Sequence, residues 1–279
     1  MALTVVVLGR VVRDTTIFPD RGVAIGDGER YADILTGYGG SACNTARWLA
    51  AEGVAVAAYF TVGAAHAATI TEDFSGFGLD TSPLTVDTAN PHWEPESCII
   101  VSSSDGRAIY TDRREGSYLK SDPFPTGLLP ADNPSPHHHA ALHTDGFALL
   151  YWPRQVAAAL AHARHSSVVT SLAIGPAVAR YLSHHGRGTD NPDSPPLADV
   201  LRNVDVLTCN RDEWAMLEAH YGPDCQAILY RTTVLITDGP RPITAVAPYG
   251  GPQIQVPVPA RAATEVADTT GAGDAFVAG

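Results

Sequence analysis

Residues 268–276 read Asp-Thr-Thr-Gly-Ala-Gly-Asp-Ala-Phe, a glycine-rich turn followed at once by an acid and an apolar run. Small residues allow the backbone of such a turn to approach a ligand closely. The residues after Asp274 are compatible with a helix, so the N–H groups of the turn would lie at a helix N-terminus, where anions bind. A carboxylate beside a bound phosphate suits a general base that takes a proton from an attacking hydroxyl, as in phosphoryl transfer. An Asp that only caps a helix explains the stretch equally well.

The composition is that of a globular protein large enough for one α/β domain. The chain has 279 residues, of which 45% are hydrophobic, so it can bury a sizeable core. Its formal net charge of −12 argues against non-specific binding to nucleic acids or anionic membranes. No apolar run approaches the roughly 18–20 residues that span a bilayer, and the first residues are typical of a strand rather than a signal peptide. We expect neither a nucleic-acid nor a membrane partner.

The four cysteines, at positions 43, 98, 209 and 225, form no C-x-x-C pair. A chain of this size does not need disulfides for stability. Reduced thiols are therefore expected, which indicates a cytoplasmic protein.

The first predicted strand leads to a candidate ligand-binding acid. Thr4–Leu8 is a continuous apolar run, as expected of a strand that is buried on both faces. Ligands of open α/β sheets bind beyond the carboxyl ends of strands. Asp14, a few residues past the end of this strand, is thus placed to accept hydrogen bonds from substrate hydroxyls, the alternative being a solvated loop acid. Arg10 and Arg13 are expected to be solvated, the alternative being that they help to bind an anionic substrate.

A glycine pair begins the first predicted helix. Gly39 and Gly40 precede apolar residues at helical spacing, and such an entry allows backbone N–H groups to face a substrate. Asn44 offers both a donor and an acceptor. A flexible helix entry and a surface Asn are the alternatives.

The rest of the chain alternates between strands and helices, which predicts a mainly parallel sheet. Further strands are expected near 54–63, 167–174, 204–208 and 233–237, and a hairpin around the turn at 103–106. His137, His138, His139 and His143 are interpreted as exposed loop residues and not as a metal site, because adjacent histidines do not share a helix face.

The two glycine motifs, 39–53 and 268–276, resemble the two signatures of the PfkB carbohydrate kinase family, which is also called ribokinase-like. The resemblance spans residues 5–279. It implies a ribokinase-like three-layer α/β/α fold with a mainly parallel central sheet and a small β lid. The chain would form one such domain over residues 1–279, with lid strands at about 20–37 and 97–113.

The resemblance also implies transfer of the γ-phosphoryl group of ATP to a hydroxyl of a sugar or sugar derivative. Asp274 would be the catalytic base, with the anion hole formed by Gly271, Ala272 and Gly273. The acceptor would be held by Asp14, Gly39, Gly40 and Asn44. The alternatives are a nucleoside kinase of the same fold and a catalytically weak binding or regulatory homologue.

Two further segments carry the expected nucleotide and metal contacts. Asn210 and Glu213 have the spacing of a capping box and also resemble the family's N-x-x-E motif, which would position Mg²⁺ through water. Thr237 and Gly239 resemble its Thr-x-Gly nucleotide loop, although Pro242 stands where a second glycine is usual. By the same resemblance, a monovalent cation such as K⁺ would be bound by Asp268 and Thr270.

The sequence departs from the family pattern in two places. Residues 64–68 read Ala-Ala-His-Ala-Ala where acidic and glycine residues are usual. The chain also stops at Gly279, whereas relatives continue with helices that cover the adenine, so we expect further chain or another subunit to supply that cover. An exposed lid edge would allow a homodimer.

Overall fold

The computed structural model describes residues 4–19, 32–88, 94–103, 106–111, 139–185, 195–259 and 272–278. Its strands are β1 (Thr4–Arg10), β2 (Val12–Pro19), β3 (Ala32–Gly39), β4 (Ala55–Gly63), β5 (Thr85–Asp87), β6 (Glu96–Ser103), β7 (Gly106–Thr111), β8 (His139–Asp145), β9 (Val169–Ala173), β10 (Val206–Asn210), β11 (Thr233–Asp238), β12 (Arg241–Val246) and β13 (Gln253–Val256). Its helices are α1 (Ser41–Ala51), α2 (Ala64–Gly76), α3 (Gly146–Tyr151), α4 (Pro153–His165), α5 (Ala177–His185), α6 (Leu197–Leu201), α7 (Arg211–Tyr221), α8 (Asp224–Ile228) and α9 (Ala272–Ala278).

The larger sheet has the strand order β13-β12-β11-β10-β9-β8-β1-β4-β5. Neighbours from β11 across to β5 are parallel, and at the other edge β12 pairs antiparallel with both β11 and β13. The parallel strands end at the same edge of the sheet, which is where ligands of open α/β sheets bind.

Alternating side chains of β1 supply two cores on opposite faces of this sheet. Val6 and Leu8 are fully buried in a core shared with α3 to α8. Val7 is buried in a second core with residues of α1 and α2. The sheet is therefore covered by helices on both faces, which explains why β1 is apolar throughout.

A smaller sheet has the order β3-β2-β6-β7. β6 and β7 form an antiparallel hairpin, as the sequence predicted. Of the expected lid segments, residues 20–31, 104–105 and 112–113 lie outside the described residues, and the remainder belongs to β3, β6 and β7. β2 was not predicted. It follows β1 after a single residue, and its polar start at Arg13 and Asp14 hides the strand pattern.

Two expectations about solvated side chains were wrong. His143 lies within β8 with 3% of its surface exposed, and its Nδ1 is 3.1 Å from Ser171 Oγ. Burial lowers the pKa of His143 to about 4, so the ring is neutral. Arg10 is also mostly shielded from solvent, with 12% of its side chain exposed, in an ion pair with Glu96. Among the described residues, no helix is long and apolar enough to cross a membrane.

Candidate active site

The two glycine motifs meet at the carboxylate of Asp274. This residue lies in the first turn of α9. Its Oδ1 accepts a hydrogen bond of 2.6 Å from Ser41 Oγ, and its Oδ2 accepts one of 3.1 Å from Asn44 Nδ2. Thr45 Oγ1 donates to the Asp274 carbonyl oxygen at 3.4 Å. Residues about 230 positions apart in the chain are thereby joined in one polar cluster.

Asp14 lies beside this cluster because β2 and β3 are neighbours. Asp14 pairs directly with Gly37, so Asp14 and Gly39 are diagonal neighbours on the same face of the smaller sheet. A methyl group at Gly39 would lie 2.0 Å from Asp14 Oδ2 and 3.4 Å from Asn44 Oδ1. The absence of a side chain at Gly39 thus allows the two polar groups to approach each other.

Gly40 has a backbone conformation that side chains disfavour, with φ of 106°, and it precedes α1 as its N-cap. A Cβ at this position would lie 2.9 Å from the Arg10 carbonyl oxygen. The tight packing of Gly40 against the end of β1 therefore fixes where α1 begins, and with it the positions of Ser41 and Asn44.

The electrostatic environment of Asp14 is unusual for an aspartate. The pKa of Asp14 is raised to about 6, mainly because the side chain is buried; Arg10 and Arg47 act to lower this pKa, and the nearby charge of Asp274 acts to raise it. Two acids therefore share one partly buried pocket. Such a pocket suits an acceptor that presents several hydroxyl groups, because carboxylates accept hydrogen bonds from them.

Sequence reasoning missed Ser41 and Thr45. Both contact Asp274, and with Asn44 they occupy positions i, i+3 and i+4 of α1. Residues at this spacing share one helix face. Three short polar residues at this spacing were the signal that could have identified them.

Sequence reasoning also missed Asp145, at the carboxyl end of β8. Its Oδ1 accepts a hydrogen bond of 2.7 Å from Ala148 N, in the first turn of α3. Its Oδ2 accepts one of 2.9 Å from Ala42 N, in the first turn of α1. Gly40 has no side chain to cap α1, so Asp145 provides that cap from another element. Burial raises the pKa of Asp145, and the hydrogen bond from Ala148 and the charge of Arg10 oppose this shift.

The predicted nucleotide residues lie at the carboxyl ends of β10 and β11. Asn210 and Thr237 occupy paired positions on these parallel strands. Thr237 Oγ1 donates to the Cys209 carbonyl oxygen at 3.4 Å. Gly239 has φ of 59°, a conformation that favours glycine. Asn210, Thr237 and Gly239 are thus brought to the same edge of the sheet.

Asn210 and Glu213 form a complete capping box at the start of α7. Asn210 Oδ1 accepts from Glu213 N at 2.9 Å, and Glu213 Oε2 accepts from Asn210 N at 2.8 Å. Asn210 Nδ2 also donates to Glu213 Oε1 at 2.9 Å. Burial raises the pKa of Glu213, although its hydrogen bond with the Asn210 backbone opposes this shift.

These contacts determine how a metal ion fits the site. Within the part of the chain that the structure describes, no group of three or more His, Cys, Asp or Glu side chains could enclose a metal. Both oxygens of Glu213 already accept hydrogen bonds, so this carboxylate fits a contact through water better than direct coordination. Mg²⁺ commonly keeps several waters and is bound largely by substrate phosphates. Asp268, Thr270 and Gly271 lie outside the described residues.

An Arg-Asp-Arg cluster lies beside the predicted nucleotide loop. Asp238 Oδ2 accepts from Arg211 Nε at 2.8 Å, and Asp238 Oδ1 accepts from an Arg241 guanidinium nitrogen at 2.6 Å. The hydrogen bond from Arg211 is the main reason that the pKa of Asp238 is lowered. Two arginines thus share one acid beside Gly239.

Comparison with solved structures identifies the fold. A ribokinase from Cryptococcus neoformans var. grubii serotype A in complex with ADP has a TM-score of 0.66 at 20% identity, covering 100% of this chain and 85% of that one. A fructokinase from Xylella fastidiosa with bound ATP has a TM-score of 0.72 at 17% identity, and the match covers 99% of this chain and 79% of the fructokinase. A nucleoside kinase from Methanocaldococcus jannaschii has a TM-score of 0.70 at 16% identity, and the match covers 99% of this chain and 82% of the nucleoside kinase. The architecture is therefore a ribokinase-like α/β fold with a mainly parallel central sheet, as the sequence predicted.

The sequence itself identifies the family. Residues 2–279 match the pfkB family carbohydrate kinase, and no curated protein matches the chain. The match covers almost the whole chain, so this protein belongs to the pfkB family of carbohydrate kinases. It is a phosphotransferase by family.

Proposed function

We propose that this protein transfers the γ-phosphoryl group of ATP to a hydroxyl of a sugar or sugar derivative. The observation that carries the proposal is the position of the Asp274 carboxylate. It lies in the first turn of a helix and accepts hydrogen bonds from Ser41 and Asn44. Asp14, a second acid suited to binding hydroxyl groups, is close enough for the charge of Asp274 to affect its pKa.

In this mechanism Asp14, Gly39, Gly40 and Asn44 orient the acceptor, and positioning supplies much of the rate. Asp274 removes the proton from the acceptor hydroxyl as its oxygen attacks the γ-phosphorus. The bond from that phosphorus to the bridging oxygen of ADP breaks, and ADP leaves with the electron pair. Backbone N–H groups of residues 271–273 stabilise charge on the transferred phosphoryl oxygens.

The nucleotide is proposed to bind along the ends of β10 and β11, at Asn210, Thr237 and Gly239. The family relatives whose structures contain ADP or ATP support ATP as the co-substrate. Mg²⁺ would neutralise phosphate charge when bound, with Glu213 contacting it through water. A monovalent cation at Asp268 and Thr270 completes the proposal, and K⁺ in place of Na⁺ should then raise turnover. Equal turnover rates in K⁺ and Na⁺ would contradict the proposed monovalent-cation site.

The acceptor is tested with a panel of sugars, sugar derivatives and nucleosides, by measuring ADP release from Mg-ATP and locating the new phosphate by ³¹P NMR. Turnover of a sugar is the expected result. A nucleoside kinase is the second candidate, because the nucleoside kinase from Methanocaldococcus jannaschii shares the fold. Turnover confined to nucleosides would establish it. ATP binding without turnover of any acceptor would instead indicate a binding or regulatory homologue, which the Pro242 substitution in the nucleotide loop favours.

We also propose that the smaller sheet is a lid over the acceptor and that two copies associate through it. This sheet exposes large apolar side chains on both of its faces: Ile34, Ile99 and Tyr110 lie on one face, and Leu35 and Ile109 lie on the other. Exposed apolar patches of this kind mark interaction surfaces, and β3 leaves one edge of the sheet open to pairing.

A further inference from the structure

If the proposed function holds, the charges around the acceptor pocket, formed by Asp14, Asn44 and Asp274, determine whether the acceptor can carry a charge. The cations that act on Asp14 are Arg10 and Arg47. Arg10 is the last residue of β1, and a Cβ at Gly40 would lie 2.9 Å from its carbonyl oxygen. Arg47 is three residues after Asn44 on α1, so the two share a helix face. Each arginine is therefore close enough to meet an anionic group on an acceptor, provided that its guanidinium is free to do so.

The guanidinium of Arg10 is not free. It forms an ion pair with Glu96, the first residue of β6, and the exposed fractions of the two side chains are 12% and 4%. Its Cζ also lies 4.5 Å from the centroid of the Phe147 ring and 4.9 Å from that of Tyr151. A cation held against two aromatic rings and a buried carboxylate is withdrawn from any ligand.

Arg47 is held in the same way. It forms an ion pair with Asp73 on α2 and donates to the Tyr38 carbonyl oxygen. Its Cζ lies 4.7 Å from the centroid of Phe77 and 5.4 Å from that of Phe74. Arg10 and Arg47 are thus held in the same way, each by one acidic side chain of the protein and two aromatic rings.

The third nearby arginine, Arg13, lies on the opposite face of the smaller sheet from Asp14. Arg13 precedes Asp14 on β2, and successive side chains of a strand lie on opposite faces of the sheet. Within the described residues, the pocket therefore presents the carboxylates of Asp14 and Asp274 to the acceptor, while Arg10 and Arg47 are compensated by Glu96 and Asp73. A phosphate or carboxylate on the acceptor would meet like charge there.

We propose that the acceptor is an uncharged polyhydroxylated compound, and that Glu96 and Asp73 set this preference by holding Arg10 and Arg47 away from the ligand. Phosphorylated sugars and sugar acids are therefore poor acceptors, because their anionic groups would lie near the carboxylates of Asp14 and Asp274 without a free arginine to bind them. Glu96 and Asp73 are specificity-determining residues that need not touch the substrate.

The test compares each uncharged acceptor with phosphates at two different hydroxyls, so that at least one phosphate leaves the attacked hydroxyl free: ribose with ribose 1-phosphate and ribose 5-phosphate, fructose with fructose 1-phosphate and fructose 6-phosphate, and inosine with its 3′- and 5′-monophosphates. The kcat/KM of the wild-type protein should be about 100-fold or more higher for the uncharged member of the set that is turned over than for either of its phosphates. Equal or higher kcat/KM for a phosphorylated member would overturn the inference while leaving the kinase function intact. Failure of every acceptor would count against the proposed function itself.

Two variants test the residues. Asp73→Asn and Glu96→Gln release Arg47 and Arg10, so each should raise the ratio of phosphorylated to uncharged turnover by about tenfold. Asp199→Asn is the matched control, because it breaks an ion pair with Arg202 in which both side chains are 57% exposed; it should leave the ratio unchanged. Asp73 is 33% exposed, so its variant should fold even if loss of the buried Glu96 prevents folding. A folded Asp73→Asn protein with the wild-type ratio would contradict the role of this ion pair.

Discussion

At the scale of single residues, Asp14 combines a functional position with an energetic cost. Its folded-state pKa of about 6 is above the ordinary value of 3.8, mainly because the side chain is buried. The folded protein therefore binds a proton more tightly than the unfolded chain. The resulting stabilisation is fully present below about pH 3.8 and is lost as the pH rises through 6. At neutral pH the ionised acid is retained at the expense of stability, as expected of a binding residue.

Replacement of Asp14 by Asn should separate these two effects. We expect kcat/KM for the acceptor to fall at least tenfold, by about 1.4 kcal/mol or more, because a hydrogen-bond acceptor for hydroxyls is lost. The free energy of unfolding at pH 8 should rise by about 1 kcal/mol, allowing for partial exposure of the side chain. Urea unfolding at pH 4 and pH 8 checks this, since the gain should vanish at pH 4. The same gain at both pH values would show that the ionisation of Asp14 is not its cause.

Gly39 provides a second prediction at this scale. Its Cβ would fall 2.0 Å from Asp14 Oδ2, so Gly39→Ala must displace the carboxylate from its position in the pocket. We expect the KM for the acceptor to rise about tenfold or more, with a smaller change in the KM for ATP. Gly37→Ala is the matched control on the same strand, because nothing lies within 4 Å of a Cβ there. Equal effects of the two substitutions would contradict the packing argument.

At the scale of elements, the pocket depends on where α1 begins. Gly40 caps that helix without a side chain, and Asp145 at the end of β8 supplies the missing acceptor to Ala42 N. One carboxylate thus stabilises the N-termini of both α1 and α3. Ser41 and Asn44 are held against Asp274 as a consequence.

Removal of the Asp145 carboxylate, which caps both helices, should lower the free energy of unfolding. Asp145→Ala leaves two buried N–H groups without their acceptor, so we expect a loss of about 2–4 kcal/mol in the free energy of unfolding. Asp80→Ala is a suitable control, because the carboxylate of Asp80 accepts an exposed, local hydrogen bond from Ser82 N, and the substitution leaves the backbone hydrogen bonds of Asp80 in place. Its loss should be below about 1 kcal/mol. Similar unfolding midpoints for the two variants in urea would refute the role of Asp145.

At the scale of the whole molecule, some features followed from the sequence and others required the structure. Apolar runs predicted β1, β4 and the later strands, because strands buried on both faces admit few polar residues. The contact between Asn44 and Asp274 could be expected only from the family resemblance, since no local pattern links positions so far apart. The polar start of β2 concealed a strand, and the buried ion pair of Arg10 depends on Glu96, which local sequence does not connect to it.

The apolar surface of the smaller sheet gives a prediction for the assembly. We expect the protein to sediment as a dimer at micromolar concentration, and Ile34→Glu, at a site with 62% exposure on β3, to shift it to a monomer. Met216→Glu places the same charge on an exposed apolar residue of α7 and should leave the dimer unchanged. A wild-type protein that sediments as a monomer would contradict association through this sheet.

The central claim is that Asp274 acts as the base of a phosphoryl transfer, and the most direct test is acceptor-dependent ADP release by the wild-type protein and by Asp274→Asn. We expect kcat to fall by about 10²–10⁴-fold in the variant, while the Kd values for acceptor and ATP, measured by calorimetry, change little. Turnover near the wild-type rate in Asp274→Asn would contradict the assignment of the base.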